Sequence, residues 1–455
     1  MVLWRETQLM PNVLNLKPDE IDTIEKRSKY LVSVVGCGQK GILYANAFAD
    51  AGFKVACSDP DPSVIKKLAR GKTPFAEQEI EGKLKVLINA GQLSATNDLE
   101  KAVSRSDIII ITVPAKVDDK KKIDSSEALN ACKQVGSALN SGTLVIYGDV
   151  AGFGFIEGIM KETLENTSGL KVGQDFGLAY IPIHNLGAKP IEPIINLELT
   201  VAAIGKASQD AAMNVLKTIT KNVRQISDVK TAEIATLFKA AKQEANTALA
   251  SELAVFCESA NIDYFEVLKL LEFNDPNFWP TTVEEENKNV AYLLLESAEN
   301  LNVKLRLLTL ARQINESMVK HAVNLTQDAL RSCGKALRRA RIAVLGTVNP
   351  STATVVFVKM LELKGAKASL YDPASKREAI DSGVVTTSLN DAVEGADCIV
   401  ILTGEEQFKH LNLRKLKPLT KTPSVIVDLA GAFEPQKVET EGFIYCGLGR
   451  GKEEK

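Results

Sequence analysis

The sequence has no long apolar run, little net charge, no paired cysteines and few histidines, and each shortage excludes a class of protein. No stretch approaches the ~20 consecutive apolar residues that span a bilayer, and the N-terminal MVLWRETQLMPNVLNL lacks the basic segment and apolar run of a signal peptide. No membrane partner and a cytoplasmic location are therefore expected. The formal net charge of -2 supplies no basic field for nucleic acid. Seven cysteines, odd in number, scattered and never spaced C-x-x-C, argue against a disulfide framework and a zinc site. They are expected to be reduced and mostly buried, and no metal is expected.

What is present is the composition of a soluble globular chain, with 45% hydrophobic and 25% charged residues. At 455 residues it is too long for one ordinary core, so about two or three domains are expected. From Tyr30 an apolar strand, a glycine turn, a helix of small residues and a second strand ending in acid make a βαβ unit. Further strands at 108–113, 143–147 and 176–181 extend it into a doubly wound parallel sheet. Between Val229 and about Ala336 the pattern is helical, and residues 232–260 form a long helix without Gly or Pro.

An internal echo follows. The spacing of Gly52, Lys54, Asp59 and Pro60 recurs at Gly365, Lys367, Asp372 and Pro373, and that of Leu99, Ala102, Val103 and Asp107 recurs at Leu389, Ala392, Val393 and Asp397. A second, smaller Rossmann-like sheet is expected from Arg341 to Asp428. The predicted division is an extension over 1–28, a dinucleotide-binding domain over 29–228, a helical domain over 229–336 and a second Rossmann-like domain over 337–455.

The two strand-to-helix turns differ. In the first, Gly36 turns the chain, Gly38 lets backbone approach a pyrophosphate, and Gly41 lets helix pack on strand. Asp59, about twenty residues on, can accept from ribose hydroxyls and would repel a 2′-phosphate, which favours NAD over NADP. The second turn keeps only Gly346, followed by Asn349 and Pro350 as an N-cap and first helical residue. A diphosphate site and an ordinary capped helix fit those residues equally.

Two Rossmann-like domains around a long helix, with Gly36 to Gly41, Gly71-Lys-Thr-Pro74-Phe-Ala-Glu77, Ala232-Glu233, Ser251-Glu252-Leu253, Asn261-Ile262-Asp263, Ile314-Asn315-Glu316 and a tail from Gly442 through Tyr445, Gly447 and Gly449 to Arg450, resemble the UDP-glucose/GDP-mannose dehydrogenase family. The resemblance implies an NAD-dependent oxidation of a UDP- or GDP-sugar at C6, by way of an aldehyde trapped on a cysteine, to a uronate. It also implies cofactor contacts from Val113 and Pro114, and a homodimer formed through the long helix.

The family's catalytic positions are replaced. Aligned through Pro280, Phe278 stands at the cysteine and Thr281 and Thr282 at the following Lys and Asp. Thr236 and Ala240 stand at the helix Lys and Asn, Ile183 at the catalytic Glu, Gly431 closes the segment that should carry a substrate Arg, and Val348-Asn349 replaces Phe-Lys. The cofactor loops change too, to Val113-Pro114-Ala115-Lys116 and Gly148-Asp149-Val150. His184, one of three histidines, follows Ile183 and is a candidate base, although a loop histidine also serves structure alone. Two readings stand: a member performing one alcohol-to-aldehyde step, and a catalytically inactive NAD-binding homologue with a regulatory or scaffold role. A third places a different small substrate against Lys239, Lys242 and Glu244.

Overall fold

The computed structural model describes residues 12–74, 78–118, 120–183, 193–272, 278–281, 286–346, 352–371, 384–386, 388–404 and 406–451. His184, Thr282, Val348, Asn349 and Pro350 lie outside them. The chain divides into two compact units, one of residues 1–239 with 292–303 and one of 240–291 with 304–455. The helical stretch is shared between the two.

In the first unit the strands are β1 (Leu31–Val35), β2 (Lys54–Ser58), β3 (Leu93–Thr96), β4 (Ile108–Ile111), a short pair β5 (Lys116–Val117) and β6 (Ile123–Asp124), then β7 (Leu144–Tyr147), β8 (Gly177–Tyr180), β9 (Leu199–Ala203) and β10 (Val223–Gln225). The eight-stranded sheet runs β10-β9-β8-β7-β4-β1-β2-β3. Strand order reverses between β1 and β4, the crevice where α/β sheets bind ligands. Pairing is parallel from β3 to β8, but β9 lies antiparallel to β8. Among the described residues only the short turn Ile194–Asn196 lies between β8 and β9, whereas a parallel neighbour needs a long crossover, and the expected all-parallel order ends there.

Both sheet faces are covered, and the strands are correspondingly apolar throughout. Ile108 and Ile110 point with Val32, Val34, Leu144 and Ile146 into one core, while Ile109 and Ile111 point with Val35, Val145 and Tyr147 into the other.

The second unit repeats the plan with β11 (Arg341–Leu345), β12 (Lys367–Tyr371), β13 (Val384–Thr386), β14 (Cys398–Ile401), β15 (Val425–Asp428) and β16 (Ile444–Gly447). Its order is β13-β12-β11-β14-β15-β16, parallel throughout. The echo has a physical basis. Asp107 accepts a hydrogen bond from Leu31 N at 2.8 Å, and Asp397 accepts one from Arg341 N at 2.9 Å, so a buried carboxylate pins the start of the first strand in each sheet. The echoed lysines, Lys54 and Lys367, pair with Leu31 and Arg341 at the same edge.

All seven cysteines are free thiols, five of them buried. Among the described residues no helix is long and apolar enough to cross a membrane.

Candidate functional site

β1 ends at Val35, and Gly36 follows at φ +93°, a left-handed conformation that suits glycine. The helix Gln39–Asp50 then begins, with Gly38 as its N-cap. A Cβ at Gly41 would stand 2.0 Å from Gly36 O, so only glycine lets helix and turn come this close. A Cβ at Gly38 would meet nothing within 4 Å. Open space therefore lies before the helix N-terminus, whose unpaired N–H groups and positive dipole end suit a pyrophosphate.

Asp59 closes the turn from β2. Its Oδ2 accepts from Cys37 N at 2.8 Å and its Oδ1 from Asp61 N at 3.0 Å, which fixes the carboxylate and leaves each oxygen a second lone pair for a hydroxyl. Val113, just beyond β4, reaches the turn: its Cγ2 lies 3.1 Å from the position of a Cβ on Gly36. Gly36, Gly38, Gly41, Asp59 and Val113 thus share one site, and Pro114 follows Val113 as an exposed residue. This geometry fits a dinucleotide.

A pair not expected from the sequence joins them. Lys40, in the first turn of the same helix, places its Nζ 2.6 Å from Asp149 Oδ1, and the two side chains are 16% and 8% exposed. Asp149 lies two residues past β7, and its Oδ1 also accepts from Val150 N. The available signal was a lysine inside the glycine fingerprint together with an acid at a strand end.

The positions aligned to catalytic groups are packed. Thr236 donates to Ala232 O at 2.9 Å and also bonds Tyr180, Ile183 is 2% exposed, and Ala240 is fully buried. Burial pushes the Tyr180 phenol well up, so it stays protonated. The retained Glu233 has a structural task, as its oxygens accept from Gly154 N at 2.7 Å and Ile156 N at 3.0 Å. Beside this loop a cavity of about 140 Å³ is bounded by Ala115, Val150, Phe153, Glu296 and Ser297. Burial, with Glu299 nearby, pushes the Glu296 carboxyl up.

In the second unit, Phe278 packs against a buried cluster that includes Ala250, Cys257, Tyr264 and Phe265. Trp279 lies 4.6 Å from Phe265, centroid to centroid, and Arg450, paired with Asp263, lies 4.4 Å from the Phe265 ring. Trp279 Cζ2 also sits 3.0 Å from where a Cβ on Gly431 would be. Aromatic side chains therefore fill the ground between the segments expected to carry a thiol and an arginine. At the end of β15, Asp428 is fully buried and accepts from Ala430, Ala432 and Phe433 N and from Tyr445 OH.

Of the three charged residues expected to line a site for a different small substrate, Glu244 does not face an opening. Glu244 is buried against Arg312 at 2.8 Å and Asn315 at 2.8 Å, because a carboxylate facing the helix Arg306–Ser332 must be neutralised there. Lys239 and Lys242 are exposed.

Comparison with known proteins matches residues 30–224 to the NAD binding domain of the UDP-glucose/GDP-mannose dehydrogenase family and residues 351–435 to its UDP binding domain. The chain is 27% identical over 438 residues to the UDP-N-acetyl-D-mannosamine dehydrogenase of Pyrococcus horikoshii, covering 92% of this chain and 99% of that protein. It is 25% identical over 447 residues to a UDP-glucose 6-dehydrogenase of Bacillus subtilis, covering 92% and 93%. The solved structure of UDP-D-ManNAc dehydrogenase from Pyrococcus horikoshii is similar at a TM-score of 0.79 over 92% of this chain and 99% of that one, with 27% identity. An NDP-N-acetyl-D-galactosaminuronic acid dehydrogenase from Methanosarcina mazei follows at 0.71 over 94% and 98%, with 25% identity.

Proposed function

The chain belongs to the UDP-glucose/GDP-mannose dehydrogenase family and its cofactor is NAD, and from that premise we propose that it binds NAD and a nucleotide sugar without completing the oxidation to a uronate. Residues 29–228 hold NAD, 337–455 hold the nucleoside diphosphate of the sugar, and 229–336 join two copies. NAD supplies a hydride acceptor when bound. A second oxidation needs a nucleophile to make the aldehyde tetrahedral. The observation that carries the reading is that Phe278, at the position for that nucleophile, is packed against the Phe265 cluster, with Trp279 beside it against Gly431.

The chain's own groups do the rest of the work. The Gly36–Gly41 turn receives the pyrophosphate, Asp59 the adenosine ribose, and Val113 with Pro114 flank the turn. A regulatory or scaffold role then follows from occupancy by NAD. Within this proposal the sugar either stays unoxidised or undergoes one alcohol-to-aldehyde step with His184 as proton acceptor, the latter drawing its support from the complete dinucleotide turn.

One titration separates these readings. The pure chain is mixed with NAD and a panel of UDP- and GDP-sugars while binding heat and NADH absorbance are followed. Binding without NADH supports the non-oxidising reading, and one NADH per sugar that is lost in His184→Ala supports the single step. Two NADH per sugar would overturn both.

A homodimer is supported by Leu249, Leu253 and Phe256, which are all exposed and recur on one face of the long helix Val229–Ser259. Light scattering of Leu253→Glu/Phe256→Glu should report monomers where the unaltered chain gives dimers.

A further inference from the structure

The ion pair between Lys40 and Asp149 joins segments on the two sides of the strand-order reversal, where α/β sheets bind dinucleotides. Lys40 belongs to the helix that follows β1, and Asp149 follows β7, with β4 between those strands in the sheet. The reversal of strand order falls between β1 and β4, so the pair ties the helix of the first half to the loop that ends the first strand beyond β4. In a two-half nucleotide-binding sheet the β1-β2-β3 half takes the adenosine and the β4-β7-β8 half the other nucleoside. Asp149 therefore stands at the second half as Asp59 stands at the first, each beyond the end of its strand.

Both side chains are largely withdrawn from water, at 16% and 8% exposure. An unpaired charge there is costly, so each requires the other. An ammonium has three donors, however, and one bond to Asp149 leaves two. The helix N-terminus beside it faces open space at Gly38, and a pyrophosphate drawn to that end comes against the first turn, from which Lys40 projects.

We propose that Lys40 is a ligand of the dinucleotide pyrophosphate, steered across the crevice by Asp149, which in turn accepts from the ribose on the nicotinamide side. The pair is then a built-in counter-charge for the cofactor rather than a plug: Asp149 holds the Lys40 side chain in place before the phosphate arrives, and the phosphate adds to the contact. Charge-assisted bonds of this kind change affinity by roughly ten- to a hundredfold.

The test uses the full chain and three probes, NADH, ADP-ribose and adenosine, measured by calorimetry in the unaltered chain and in Lys40→Met. Binding of NADH by the unaltered chain establishes the cofactor site independently of Lys40. Lys40→Met is expected to weaken NADH and ADP-ribose about tenfold or more and to leave adenosine unchanged. Unchanged or tighter ADP-ribose binding would overturn the proposal, since it would mean that the pair only obstructs the crevice. Lys40→Met leaves Asp149 buried without its cation and can fail to fold, so Lys40→Met/Asp149→Asn, which removes both charges, is measured beside it. The double variant is expected to lose ADP-ribose affinity by at least the same factor, because Asp149 also faces the second ribose, and unaltered affinity in it would also overturn the proposal.

Discussion

Glu233 caps the helical segment that begins at Phe155, one carboxylate oxygen accepting from Gly154 N at 2.7 Å and the other from Ile156 N at 3.0 Å. Gly154 is itself left-handed, at φ +79°, so the loop after β7 turns sharply into its helix and presents two N–H groups side by side. Burial pushes the carboxyl up, while the two N–H bonds favour its charged form. Glutamine would place an NH2 against one of those donors. Glu233→Gln is therefore expected to destabilise the first unit by roughly 2–4 kcal/mol, nearly as much as Glu233→Ala, because a buried N–H loses its acceptor in either case. Denaturant midpoints measure this, and a neutral glutamine variant would remove the capping role.

Gly38 and Gly41 should respond oppositely to alanine. At Gly41 the new methyl would meet Gly36 O at 2.0 Å, backbone against backbone, and the helix must move away from β1. At Gly38 it meets nothing, and the backbone φ of -72° suits any residue. Gly38→Ala is expected to melt within a degree or two of the parent and yet bind NADH at least tenfold more weakly, since the methyl fills space reserved for phosphate. Gly41→Ala is expected to lose both stability and binding. A Gly38→Ala variant that binds NADH normally would show that the open space is not the phosphate site.

Much of this was legible in the sequence, and the reasons are specific. The glycine spacing, the acid at Asp59 and the echo of Asp107 in Asp397 are local or periodic features, and backbone geometry dictates them wherever they occur. Lys40 with Asp149, and Trp279 with Gly431, are contacts between segments far apart in the chain, and no local pattern announces them. Glu233 was legible only as a retained letter of the family. Its partners Gly154 and Ile156 stand 79 and 77 positions away in the loop after β7, and no local pattern joins them to the long helix.

The second sheet carries a pH-sensitive fastening. Burial pushes the Asp397 carboxyl up, but the Arg341 N–H and the Lys335 ammonium, 2.9 Å away, outweigh it and hold the group below the ordinary aspartate range. A carboxyl depressed by folding stabilises the fold above its unfolded pKa of about 3.9, and that contribution disappears as pH falls through the lower folded value. The second unit should accordingly lose stability on acidification below about pH 4. Asp397→Asn should be less stable than the parent at pH 7 and lose less of what remains on acidification. Unfolding midpoints at pH 7 and pH 3 give the comparison, and parallel acid limbs for the two proteins would contradict it.

Asp59 combines two duties that substitution can separate. It holds the turn by accepting from Cys37 N and Asp61 N, and its negative charge opposes a 2′-phosphate on the ribose it faces. Asp59→Asn keeps one oxygen acceptor for the Cys37 N–H, leaves the exposed Asp61 N–H to water and removes the charge, so the turn survives while the repulsion goes. The ratio of NADH to NADPH affinity, measured by fluorescence titration, should fall about tenfold or more in this variant, mostly through tighter NADPH binding. Asp59→Ala removes the charge and both turn acceptors, so the same shift in preference should come with weaker binding of both cofactors than in Asp59→Asn. Should Asp59→Asn keep the parent's preference, the discrimination must come from elsewhere in the turn, and the carboxylate would be left with its structural duty alone.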